Sequence, residues 1–148
     1  MFSVLADGPR RYRLTDGDGA ELGWIRGRAI GFRGLRHRAD AIAAASAGWR
    51  SLQSVLHRRY AAWPRQVVAW EDLRFVHDGA HEWVSDGRIP LARVQRPGPD
   101  LAVEFVVPSW MDDRAMIPLA RALRQALAPW LRVDVEAADR ESSTPAGR

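Results

Sequence analysis

The chain has 148 residues, 47% hydrophobic and 27% charged, enough for one core of ordinary size and far from the composition of a disordered or fibrous protein. Its 22 basic residues are all arginine and are set against 18 acidic ones, for a formal net charge of +4; because guanidinium stays charged far above pH 10, the isoelectric point of 10.8 overstates the basicity. Lys, Asn and Cys do not occur, a usage expected of a GC-rich bacterial genome and one that excludes disulfides, thiolate metal centres and cysteine nucleophiles.

The first residues, Met-Phe-Ser-Val-Leu-Ala-Asp, have neither the basic start nor the apolar length of a signal peptide, so a cytoplasmic location is expected. Residues 11–15 read as a strand, followed by the turn Asp16-Gly17-Asp18-Gly19, where positive φ costs little. Strands are expected at residues 21–26 and 28–33, completing a meander. Simple alternation through them buries Leu22, Trp24, Ile30 and Phe32 and turns Ala29, Gly31 and Arg33 to the opposite side, as a low-relief surface bordered by guanidinium groups.

From residue 40 to 59 the spacing becomes helical, with Ile42, Ala45, Trp49, Leu52 and Leu56 on one stripe. Its polar interruptions, Asp40, Arg50 and Gln53, exclude a membrane span. Trp63-Pro64 ends the helix and a connector runs over residues 61–65. Further strands are expected at residues 66–70, 73–77, 82–84, 89–94 and 101–107, joined by Asp78-Gly79, Asp86-Gly87 and Pro97-Gly98-Pro99. The last of these, alternating Leu101, Val103, Phe105 and Val107 with the mostly apolar Ala102, Glu104 and Val106, reads as a central strand covered on both sides.

A second helix is expected from residue 113 or 116 to 131, with Leu119, Leu123, Leu127 and Trp130 buried and Pro118 in its first turn. A short strand at 132–136 and a disordered tail at 138–148 complete the reading. The fold class is therefore a single α+β domain over residues 1–137: a mainly antiparallel sheet of about six to eight strands with two amphipathic helices on one face.

The run Asp18–Arg28 is similar to Asp78–Arg88, and both are followed by an amphipathic helix, which suggests repeat units at 10–60 and 66–136. The first copy with its helix resembles the short ββα modules of several uncharacterised bacterial families, a resemblance that implies no function.

Three functions compete. His77, Asp78, His81 and Glu82 surround one turn and make the best metal candidate, the centre of a metal-dependent enzyme if one exists here. Against it stands the ordinary hairpin turn, whose successive residues face opposite sides. The serines show no nucleophile-elbow spacing, no loop has the placement of a phosphate cradle, and Asp112 and Asp113 suit a helix N-terminus better than acid–base catalysis.

Residues 1–66 hold 12 Arg against 5 acidic residues, and residues 67–148 hold 10 Arg against 13. This lopsidedness raises a nucleic-acid surface, with phosphates on the Arg-rich sheet and bases stacked on Tyr12, Trp24 or Phe32. The reading favoured is a non-catalytic accessory or protein-interaction domain without cofactor or metal, binding a protein partner or a second copy through a sheet edge or loop aromatics. The candidate partner surface, shared with the nucleic-acid alternative, is Arg26, Arg28, Arg33, Arg36, Arg38, Trp63 and Trp110.

Overall fold

The computed structural model describes residues 2–60 and 66–131. Trp63, the connector at 61–65, the strand expected at 132–136 and the tail at 138–148 lie outside the described residues.

Eight strands form one antiparallel sheet. They are β1 (Ser3–Ala6), β2 (Arg11–Thr15), β3 (Glu21–Arg26), β4 (Ala29–Leu35), β5 (Arg74–Asp78), β6 (His81–Ser85), β7 (Pro90–Gln95) and β8 (Leu101–Val106). Helix α1 (Arg38–Arg59) follows β4, and α2 (Met116–Leu127) follows β8 between two short 3-10 turns, Asp113–Ala115 and Ala128–Trp130.

The spatial order is β1-β2-β3-β4-β8-β7-β6-β5. Each half of the chain is thus a four-strand meander followed by a helix, and the halves meet where β4 pairs with β8, from Ala29 opposite Val106 to Leu35 opposite Leu101. The single α+β domain with two helices packed against its sheet is as expected. The similarity between Asp18–Arg28 and Asp78–Arg88, however, aligns the β2–β3 hairpin with β5–β6, whereas by position in its meander β5–β6 corresponds to β1–β2.

Helix α1 packs on β8, β7, β4 and β6, and α2 packs on α1. The cluster beneath them includes Leu14, Ile25, Ile30, Phe32, Leu35, Val103 and Phe105 from the sheet, Ala45, Trp49, Leu52 and Leu56 from α1, and Leu119, Leu123 and Leu127 from α2. The helical stripes read from sequence are therefore the buried ones, except that Ile42 and Trp130 are only partly covered, Trp130 lying beyond α2 in the closing 3-10 turn. Gly48 lies where α1 presses on Phe105 and Leu127.

Three expectations are corrected. Residues 66–69 are not a strand, and Trp70–Asp72 forms a 3-10 turn instead; Val67 is 83% exposed, so apolar character there does not report burial. Strand β1, flanked by Asp7-Gly8, precedes the hairpin with which the domain was expected to start.

The third correction concerns Trp24. Leu14 faces Gly23 while Thr15 faces Glu21, so a bulge leaves Leu22 as an extra residue and breaks the alternation that put Leu22 and Trp24 on one side. Leu22 joins the helix-covered core, whereas Trp24 sits opposite Gly31, against which a Cβ at Gly31 would overlap its ring. Ile25 takes the place beside Ile30.

Candidate functional site

The helix-free face of the sheet carries one polar row. Trp24 faces Gly31, Gly31 faces Glu104, Glu104 faces Arg93 and Arg93 faces Trp83. Gly31, lacking a side chain, leaves room for the Trp24 indole, which is 2% exposed and is covered from outside by the Arg26 guanidinium, 4.6 Å from the ring centroid.

Beneath this lid lies Glu104, 1% exposed. Its Oε2 accepts the Trp24 indole N–H at 2.6 Å; its Oε1 accepts from Arg93 Nη2 and from Gln95 Nε2 at 3.1 Å. A buried carboxylate must be paired and hydrogen-bonded to be tolerated, and here Arg93 and Gln95 come from the adjacent β7 while Trp24 reaches across Gly31 of β4 from β3. The residue was legible as the lone charge in Leu-Ala-Val-Glu-Phe-Val-Val, but its partners depend on the pairing of β8 with both β4 and β7. That strand is central as expected, yet its second face is covered by side chains of the sheet itself.

The Arg candidates do not form one patch. Arg33 Nη1 reaches Glu21 Oε1 at 3.3 Å, on the helix-free face, and Arg13 lies 3.9 Å from the same carboxylate. Arg28, in the β3–β4 turn, pairs with Asp113 at 2.9 Å, with Arg10 at 3.5 Å from the other oxygen. Asp113 is thus an ion-pair acceptor, while Asp112 caps the 3-10 turn by accepting from the Arg114 N–H. Arg36 is exposed in the β4–α1 connection. Arg38, at the start of α1, crosses to the other half of the molecule, where it pairs with Glu82 at 2.8 Å and stacks over Phe75.

Arg11 and Arg26 stand directly opposite one another, with Asp7, Arg13, Glu21 and Trp24 around a small cavity of about 120 Å³. Trp24 and Phe32 are buried, so neither offers a ring for base stacking.

The His turn separates its imidazoles. His77 faces Glu82 and Asp78 faces His81, so by strand alternation the two His side chains point to opposite faces. His77 Nε2 lies 3.4 Å from Glu82 Oε2, and among the described residues no group of three or more His, Asp or Glu is disposed to hold a metal ion.

The hydrogen-bonded Arg38 guanidinium holds the Glu82 carboxyl below the usual carboxylate range, with His77 and Arg96 acting in the same direction and partial burial opposing them. A folded-state pKa below the unfolded value contributes stability above the unfolded pKa, which is lost as pH falls through the folded one. Arg38→Ala is therefore expected to raise the Glu82 titration in a carboxyl NMR titration and to shrink this acid-limb contribution. Stability at neutral pH should fall by about 1 kcal/mol, because the Arg38 side chain is 46% exposed and solvent screens the pair. An unmoved Glu82 titration would refute the assignment.

A concavity of about 620 Å³ lies between α1 and the ends of β6, β7 and β8. It is lined by Trp49, Leu52 and Leu56 of α1 and by Leu91, and it reaches round the end of the sheet to Trp83 and Val106 of the helix-free face; Gln53, Gln66 and Arg88 supply its polar groups. Trp83 is half-buried where it lines this cleft. Exposed aromatics lie along the same helix: Trp110, 53% exposed, meets Tyr60 edge to face at 4.7 Å, and Trp70 lies under Arg50. Apolar cleft walls of this kind are built by residues remote in sequence, which no local motif announces.

Comparison with protein-family models, with characterised proteins and with solved structures returns no match. No helix among the described residues is long and apolar enough to cross a membrane.

Proposed function

We propose that the protein is a non-catalytic accessory domain of the cytoplasm that binds an apolar segment of a protein partner in the cleft between α1 and β6–β8. The observation that carries this reading is the lining: two Trp, three Leu and the 54% exposed Val106 around one open concavity, the chemistry of a recognition groove with few placed polar groups. Arg88 lines the cleft and the last turn of α1 carries His57, Arg58 and Arg59, so acidic residues flanking the apolar segment would be favoured.

Panning a random peptide library against the protein is expected to enrich short apolar segments flanked by Asp or Glu, whose binding is lost in Val106→Asp. Val106 is exposed enough for this change to leave the fold intact. Peptides without that pattern, or equal binding to the variant, would remove the reading.

A second reading, nucleic-acid binding, draws on Arg11 and Arg26. Like charges directly opposed across strands are unfavourable, and neither has a carboxylate within ion-pair distance among the described residues. Salt-dependent retention of oligonucleotides, weakened alike for all sequences by Arg26→Ala, would favour this reading over the first.

A further inference from the structure

Among the described residues, β1 and β5 are the outer strands of the sheet. An outer strand presents unpaired backbone N–H and C=O groups, and proteins ordinarily blunt it with proline, a bulge or repelling charges. Strand β5 has none of the first two: its sequence is Arg-Phe-Val-His-Asp, and all five residues pair with β6 without a register shift. Its two permanently charged residues have opposite signs.

We infer that the β5 edge pairs antiparallel with the β5 edge of a second copy of this chain, with Val76 on the two-fold axis. The inference is independent of the cleft. In an antiparallel pair, opposed side chains point to the same face. A two-fold axis perpendicular to the sheet keeps both helix layers on one side, so opposed residues must lie an even number of positions apart. On β5 that condition allows registers centred on Phe75, Val76 or His77, and only the one centred on Val76 pairs all five residues.

In that register Arg74 opposes Asp78 of the second copy at both ends, and Phe75 opposes His77. Arg74 donates within its own chain to the Asp72 and Asp86 carbonyls at 3.1 and 3.4 Å, both neutral acceptors. A recess of about 310 Å³ adjoins the edge, lined by Val76, Trp83 and Pro90 together with His77, Asp78 and Ser85. Strand β1 is a poorer edge: its four residues, Ser-Val-Leu-Ala, cannot all pair in any such register and carry no charge to set one.

The chain contains no cysteine, so Val76→Cys introduces a lone thiol. Opposed Cα atoms across an antiparallel pair are roughly 4.5–5.5 Å apart, within disulfide reach. Mild oxidation of folded Val76→Cys is expected to give a disulfide-linked dimer, while Leu5→Cys on β1 stays monomeric under the same conditions. Sedimentation equilibrium should show a reversible wild-type dimer. Asp78→Arg should weaken it about tenfold by opposing two guanidinium groups at both ends, and Arg74→Asp combined with Asp78→Arg should restore it. A wild type that stays monomeric at high concentration, Val76→Cys that oxidises no faster than Leu5→Cys, or a double variant as weak as the single one would each overturn the proposal.

Discussion

Glu104→Ala is expected to cost about 3–5 kcal/mol of stability, the range seen when one partner of a buried ion pair is removed. The carboxylate is the shared acceptor of three donors on two strands. Without it the Arg93 guanidinium keeps its charge in a site where its Nε is already buried without a hydrogen-bond partner, and the Trp24 N–H loses its acceptor. Glu104→Met with Arg93→Met is expected to recover much of the loss, because exchanging both partners for apolar groups leaves no charge stranded. Urea unfolding with an unchanged m-value measures both. A loss below about 1 kcal/mol for Glu104→Ala, the net worth of one ordinary hydrogen bond, would mean the cluster is solvated.

Gly48→Ala is expected to destabilise by about 1–3 kcal/mol, the usual cost of overpacking a filled core. The sign is the informative part, since alanine in a helix interior is intrinsically favoured over glycine by about 1 kcal/mol. At this position the added Cβ would interpenetrate the Phe105 ring and lie 2.9 Å from Leu127 Cδ1, and both side chains are fully buried. Neither has anywhere to go. Thermal unfolding of Gly48→Ala at or above the wild-type Tm would show that α1 moves off the sheet freely.

Helical and strand periodicity carried most of the elements. The stripe Ala45, Trp49, Leu52, Leu56 is local information, and the structure buries it. What failed did so for identifiable reasons. A bulge at Leu22 is invisible to period-two reading, and it moved Trp24 to the face where it became the lid of a polar cluster. The Arg-rich first half looked like one electropositive sheet because sequence cannot show that Arg28 meets Asp113 and Arg38 meets Glu82. Those acidic partners all come from the second half, which is where the charge imbalance had placed them. The cleft needed α1, β6, β7 and β8 together, and so lay beyond any single stretch of chain.

The joining of the two meanders has a kinetic consequence. Within each half, strands are linked by short turns, so their pairing closes small loops and is fast. Every pairing across β4 and β8, by contrast, links residues at least 66 positions apart, and loop-closure entropy must be met before those contacts contribute anything. The halves therefore nucleate separately and the union of β4 with β8 limits the folding rate. The backbone edges of β4 and β8 stay open until that step, and during synthesis the β4 edge away from β3 waits for the whole of the second meander to emerge.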